Sequence, residues 1–456
     1  MQDYASLLLP DRGQPARTIE IVTADTLDGW LARQPASTRA ALAGQRFTAK
    51  PGTHAIIATA DGWSVVAAIG DDASPWCLAT LADRLPEGSY RAPGAERGAL
   101  GWLLGQYRFD RYREPDEVGA RVLLTADAAA IDETVRLAAA TASVRDLVNT
   151  GAGDLGPAEL EAEAEALAKR HGGTVTTTRG DALAQGYPMI HIVGQAASRE
   201  RAPRLIELEW GDPAHPRVAI VGKGVSFDTG GLDIKPSSGM RLMKKDMGGA
   251  AHALALAGLV MAARLRVRLH VLIPAVENAI AGNAFRPGDV LPSRLGLTVE
   301  NTNTDAEGRL ILGDALAKAA EGDPSLVLDF ATLTGAARVA LGPDLPPLFT
   351  DDDALAEELL AAGVAAEDPL WRMPLWDGYD DMLKSDIADL VNAPDGGFAG
   401  AITAALFLRR FVPAGMSWAH MDVFAWRPTA KPGRATGGDA YALRATYAVL
   451  KARYGG

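Results

Sequence analysis

Cysteine is almost absent: Cys77 stands alone among 456 residues. No intramolecular disulfide can form, which suits a reducing compartment, and a buried inert thiol is the expected role. Histidine is scarce too. None of the seven histidines falls at His-Glu-x-x-His spacing, which excludes the zinc proteases that present two imidazoles from one helix. No Ser-His-Asp or Cys-His set competes for catalysis. An excess of positive charge is also missing: 45 Lys and Arg against 57 Asp and Glu leave a net charge of −12. That argues against nucleic acid held by a bulk positive field. Long apolar runs are lacking as well; the longest, around 253–263, stops at Arg264, Arg266 and Arg268, too short to span a bilayer. The N-terminus has no basic start and only a three-leucine apolar run, so it does not read as a signal peptide. The expected location is cytoplasmic, with no membrane partner.

What is present is ordinary in bulk. The chain is 48% hydrophobic and 22% charged, enough to bury a sizeable core, and its length suggests two domains. One stretch stands out, Asn301 to Leu316, reading NTNTDAEGRLILGDAL. Leu312, Ala315, Leu316 and Ala319 fall at i, i+3, i+4 and i+7, the spacing of a buried helical stripe. Asp305 and Glu307 are thereby placed in a loop just ahead of a helix N-terminus, close enough to share a cation and favoured there by the dipole. Taken alone, they could equally be ordinary first-turn acids.

A second stretch, Arg217 to Leu256, changes that balance. Val218–Val221 is a short apolar run readable as a buried strand. It delivers Lys223 and Asp228 into a turn rich in glycine (Gly222, Gly224, Gly230, Gly231), followed by Lys235 and by Asp246 ahead of a second helix. Acids and lysines emerging from strand-to-helix connections suit a cation site at the carboxyl edge of a parallel sheet. Four carboxylates cannot share a pocket unpaired, because desolvation and repulsion would protonate some of them. Two divalent metals would answer that charge problem.

VGKGVSFDTGG, the Lys-Pro-Ser-Ser-Gly-Met run, KKDMGGAA and NTDAEGRL, in this order and spacing, resemble the leucyl aminopeptidase family of di-metal exopeptidases. DFATLTGAARVALG and SWAHMDV match its pattern too, and the likeness runs from about residue 148 onward. The resemblance implies a metallo-exopeptidase that removes the N-terminal residue of peptides, with zinc or manganese as the two divalent metals. It implies that Asp228 and Glu307 bridge the metals, that Asp305 completes one site, and that Asp246 and Lys223 complete the other. A lysine ligand must be deprotonated, since an ammonium has no lone pair; without the resemblance, Lys223 would read as an ion pair with Asp228. Lys235 is the candidate charge for the developing oxyanion, against the plain reading of a solvated lysine before a turn. Arg309, otherwise a surface helix residue, resembles an arginine that holds a bicarbonate ion as proton shuttle, and a helix N-terminus is a natural anion seat. His420 reads as a hydrogen-bonded core histidine.

By the same resemblance Met243, Thr332, Leu333 and Gly335 surround the substrate's first side chain, with Asn303 and Ala306 toward the leaving side. Phe424 stands where the family usually has alanine, in a strand running His420 to Arg427; an inward ring would shrink the pocket and shift preference away from leucine. The family also implies a homohexamer.

The expected fold class is α/β: a small N-terminal α/β domain for structure or assembly (1–125), a linker helix (126–149), and a larger C-terminal catalytic domain (150–456) with a mostly parallel central sheet. Strands are expected at Pro188–Val193, Leu205–Trp210, Val218–Val221, Leu269–Val276 and Ser325–Phe330. Helices are expected at Gly248–Ala263, Arg309–Ala320 and Ile402–Phe411, while Asp71-Asp72 caps a turn in the first domain. Two other functions stay open: a di-metal phosphoesterase, since carboxylate metal pairs serve both chemistries, and a DNA-binding architectural role.

Overall fold

A computed structural model describes residues 2–59, 62–70, 74–114 and 118–455; Asp71-Asp72 lies outside them. Packing divides the chain into two compact units, 1–142 with 429–436, and 143–428 with 437–456. The helical stretch expected at 126–149 is the helix Ile131–Asn149, and the division falls inside it.

The first unit holds a six-stranded sheet in the order Leu8–Pro10, Arg121–Thr125, Gly88–Arg91, Arg17–Ile21, Gly62–Ala68 and Thr53–Thr59. Only the last pair is antiparallel. Trp102 and Tyr90 pack at its core, ring centroids 5.5 Å apart. Cys77 is half-buried rather than buried.

The second unit is built on a nine-stranded mixed sheet. Its central strands Trp418–Asp422, Leu326–Ala331, Arg217–Gly222 and Arg268–Asn278 are parallel neighbours in that order. The short strand Gly224–Asp228 pairs in parallel with Arg268–Asn278, while Arg204–Trp210 and Thr174–Arg179 continue antiparallel toward one edge. The inner strands are apolar without alternation because helices cover both faces. Gly248–Ala262 is one of these helices, apolar on all sides and almost wholly buried, as a fully enclosed helix must be. No helix among the described residues is long and apolar enough to cross a membrane.

Three local expectations need correction. Pro188–Val193 is not a strand but belongs to the helix Pro188–Gly194. A six-residue stretch with five apolar residues around His191 cannot separate the two states. Here Pro188 occupies the first turn, where its missing N–H costs nothing, and the Met189 and Ile190 N–H groups donate to Asp314. Glu307 lies inside its helix, which begins there (Glu307–Ala320), so only Asp305 sits in the preceding loop. The strand through His420 ends at Asp422; Ala425 adopts a left-handed φ of 54°, which breaks the extended chain and leaves Phe424 in a loop.

Candidate active site

Four parallel strands end at one edge of the second unit's sheet. Arg217–Gly222 leads into Lys223, Gly224–Asp228 finishes on Asp228, Leu326–Ala331 leads into Thr332, and Trp418–Asp422 leads into Phe424. Parallel strands all present their carboxyl ends on the same side, which is why the chemistry gathers there. Asp246 arrives on the short turn Met243–Met247 and Glu307 on the first residue of its helix.

Glycines set how closely these pieces approach. A Cβ on Gly249 would meet Phe330 O at 2.1 Å and Lys223 N at 2.7 Å, so the helix start can rest on the strand ends only without a side chain. A Cβ on Gly308 would meet Lys223 Cε at 2.6 Å and Nζ at 2.7 Å.

Lys223, Asp228, Asp246 and Glu307 are each at most 3% exposed; Asp305 is the open member. Asp228, Asp305 and Glu307 offer oxygens within 4.8 Å of one another. Lys223 Nζ lies 2.7 Å from Asp246 and 2.9 Å from Glu307 and donates to Thr332 O at 3.2 Å. Asp228 instead faces Lys235, 2.8 Å away, and Lys235 also contacts Asp305. The sequence-local pairing of Lys223 with Asp228 is therefore not the one that forms. Asp228 Oδ1 accepts from Gly230 N–H and Asn278 Nδ2, both at 2.9 Å, and Asp246 Oδ1 accepts from Thr332 Oγ1 at 2.8 Å.

The protonation balance follows from burial and neighbours. Burial and the Asp228 charge push Glu307 up, against the pull of Lys223. Burial and Asp228 likewise raise Asp305, although Lys235 opposes them. Burial works to discharge Lys223, but Asp246, Glu307 and Asp228 outweigh it and hold its ammonium above the usual lysine range. For Lys235 burial is again outweighed, by Asp228 and Glu307, with the same result. Asp246 is lowered despite burial, because Lys223 and Lys245 stand beside it.

Four carboxylates thus face two ammonium groups. Both Glu307 oxygens, Asp246 Oδ2 and Asp305 Oδ1 are buried without a hydrogen-bond donor aligned on them. Buried polar atoms are normally satisfied, and oxygen donors of this kind suit divalent cations. The residues present fit such ions.

Arg309 is buried, donates through Nη1 to Asn392 O at 2.7 Å, and keeps its Nε without a partner. Burial draws its guanidinium down to about 10, against the charges of Glu307 and Asp422. A cleft of about 280 Å³ opens over the cluster and is lined by Lys223, Asp228, Lys235, Asp246 and Asp305, with Met243, Thr332, Leu333, Gly335 and Phe424. Asn303 and Ala306 are not among its lining residues. Asn303 Oδ1 accepts from Asp305 N–H at 2.8 Å, and Ala306 caps the helix that starts at Glu307. His420 lies apart, buried, with Nδ1 2.5 Å from Asp329 Oδ1.

Sequence reasoning missed three residues here. Asn278 braces Asp228 and donates to Thr304 O at 3.1 Å; its place at the end of an apolar strand was a usable signal. Asn392 ties the Asp305 loop together, accepting from Thr302 N–H and donating to Asn303 O at 2.7 Å, with nothing in its local sequence to announce it. Lys245 lines the cleft next to Asp246. Burial brings its ammonium down to about 8, while Asp246 opposes and Lys223 and Arg338 add to the shift.

Comparison with known proteins gives the family and the fold. The catalytic domain of the cytosol aminopeptidase family matches residues 142–446, and the N-terminal domain of M17 aminopeptidases matches 18–125. A probable cytosol aminopeptidase of Syntrophotalea carbinolica is 43% identical over 339 residues, 71% of this chain and 67% of the relative. That of Roseiflexus castenholzii is 43% identical over 382 residues, covering 77% and 76%. Among solved structures, the cytosol aminopeptidase of Coxiella burnetii superposes with a TM-score of 0.94 at 44% identity, over 98% of this chain and 99% of that one. The bottromycin maturation enzyme BotP in complex with Mn gives 0.86 at 34% identity, over 96% and 100%. With both parts of the sequence matched and the fold shared along its length, the chain belongs to the cytosol aminopeptidase family and is a peptidase.

Proposed function

We propose that this protein removes the N-terminal residue of peptides with the help of two divalent metals, zinc or manganese. Asp228 and Glu307 would bridge the two, Asp305 would complete one site, and Asp246 with Lys223 would complete the other. Lys223 would serve as a neutral amine, because dications among the carboxylates would displace the proton that those carboxylates alone hold on it. The observation that carries this reading is the cluster of buried Glu307, Asp246 and Asp305 oxygens with no aligned hydrogen-bond donor, where four carboxylates share the two ammonium groups of Lys223 and Lys235. When bound, the metals supply Lewis acidity toward the scissile carbonyl and acidify water.

The chain's own groups do the rest. Lys235 keeps its ammonium charged because the surrounding carboxylates outweigh burial, so it can stabilise negative charge on the carbonyl oxygen as the amide is attacked. Arg309, fixed through Asn392 O, has Nε–H free for a small anion; bicarbonate held there would carry protons between water and the leaving amine. Met243, Thr332, Leu333, Gly335 and Phe424 would contain the first side chain, and Asn303 and Ala306 would stand toward the leaving peptide. The family resemblance favours a cytoplasmic homohexamer.

The test is a panel of aminoacyl anilides on chelated protein reconstituted in turn with zinc, manganese and cobalt, with metal content measured in parallel. Two metals per chain and restored hydrolysis are expected. Full activity after exhaustive chelation would end the proposal.

A further inference from the structure

The wall of the cleft around Phe424 is unusual in its charge. Lys245 is 5% exposed and lines the cleft, yet its nearest carboxylate, Asp246 Oδ1, is 4.0 Å away. Its ammonium lies 5.2 Å from the centroid of the Phe424 ring, and the Arg338 guanidinium carbon lies 4.7 Å from the same centroid. Arg338 is exposed and also lines the cleft. Among the described residues neither cation has an aligned hydrogen bond to a carboxylate.

The four acids that line the cleft are engaged elsewhere. Asp228 and Asp305 face Lys235. Asp246 is 2.7 Å from Lys223 and accepts from Thr332. Asp422 accepts from Leu333 N–H and from Thr334 through both N–H and Oγ1. The face of one aromatic ring is a weak partner for two cations, and a buried ammonium whose nearest carboxylate stands 4.0 Å off and is held more closely by Lys223 is left short of negative charge. In the proposed function, this part of the cleft, bordered by Met243, Thr332, Leu333, Gly335 and Phe424, would receive the substrate's first side chain.

We infer that the cleft selects peptides whose N-terminal residue carries a carboxylate side chain, with Lys245 and Arg338 as its counter-charges and Phe424 fixing both. This rests on the aminopeptidase reading and adds a substrate class to it. A glutamyl or aspartyl side chain would complete Lys245, whereas a leucyl side chain of similar size would leave the buried ammonium as it is. Discrimination of this sort is large because it depends on a polar group left unpaired rather than on fit.

The experiment compares glutamyl, glutaminyl and leucyl anilides on the metal-reconstituted enzyme; glutamine has nearly the shape of glutamate without its charge. The glutamyl substrate should exceed the glutaminyl one in kcat/KM by at least about tenfold, the range of one charge-assisted hydrogen bond. Lys245→Met should erase that ratio. Arg338→Gln should lower it by at least about threefold, and because Arg338 is exposed its variant keeps the test valid if Lys245→Met fails to fold. Equal or better turnover of glutaminyl and leucyl anilides by the wild type, or a ratio that neither variant changes, overturns the inference while the aminopeptidase stands. Hydrolysis of none of the three with any metal overturns both.

Discussion

The two units of this molecule treat buried charge in opposite ways. Among the described residues of 1–142, Arg121 is the only buried charged side chain. It is settled by neutral backbone, donating through Nε to Ala82 O at 2.8 Å and through Nη1 to Gly119 O at 2.7 Å. The unit of 143–428 and 437–456 buries acids and bases together, from Lys223 and Glu307 at the cleft to Arg145, Arg427 and Asp439 away from it. Burying an ion costs several kcal/mol unless partners repay it. A fold that does so repeatedly in one unit and once in the other has concentrated its chemistry, and its instability, in one place. Even within that unit the charges differ in kind. Asp439 is fully paired, 3.0 Å from Arg145 and 2.8 Å from Arg427, whereas both Glu307 oxygens lack an aligned donor.

The sharpest way to break this contrast is Glu307→Gln. The change is nearly isosteric, so the fold should survive, but kcat/KM should fall at least about a thousandfold, as when one member of a cooperating catalytic set is lost. Metal content measured after dialysis should fall with it. Unchanged rate and unchanged metal content would remove Glu307 from the site.

Asp439→Asn should do the reverse and act on stability, costing about 3–5 kcal/mol in urea unfolding because the buried carboxylate shared by Arg145 and Arg427 loses its charge, although Arg427 keeps Asp344 at 2.6 Å. Arg145 and Arg427 outweigh burial and hold the Asp439 carboxyl below its usual value of 3.8. A depressed folded-state pKa means the stabilisation is complete above the unfolded value and is lost as pH falls through the lower folded one. The stability gap between wild type and variant should therefore be full at pH 6–7 and shrink below about pH 4; a gap that widens on acidification would contradict the pairing.

In the first unit, Arg121→Met should cost about 1–3 kcal/mol, the penalty for stranding its carbonyl partners. kcat/KM per folded molecule should stay within about twofold. A large loss of activity at full stability would show that the first unit takes part in the chemistry. An effect of similar size, on specificity rather than stability, is expected from Phe424→Ala, which should alter the relative acceptance of large and small first side chains by roughly tenfold to two-hundredfold, the range for a resized pocket. An unchanged anilide profile would show that the ring does not border the substrate.

Much of this was legible in the sequence where local chemistry is self-contained. The continuous apolar run at Val218–Val221 could only be an inner strand or a buried helix, and the glycines after it marked a tight exit. Asp228, Asp246, Asp305 and Glu307 announced themselves as acids one to three residues ahead of a glycine at element ends. The helix Pro188–Gly194 was misread because six mainly apolar residues carry no period long enough to tell 3.6 from 2. Asn392 was invisible because its role lies in a loop about ninety positions upstream, reached by hydrogen bonds that sequence spacing does not encode.

By itself the sequence determined the α/β class, the family and the set of acids and lysines that meet at one sheet edge, because strand, turn and helix patterns are written in neighbouring residues. Tertiary structure alone decided which lysine faces which acid. Lys223 passes over nearby Asp228 for Asp246 and Glu307, since the direction in which a strand end releases a side chain, not distance along the chain, fixes its charge partners. It also placed Lys245 and Arg338 around Phe424, because the left-handed turn at Ala425 and the helix after Leu333 bring together three segments that share no local pattern.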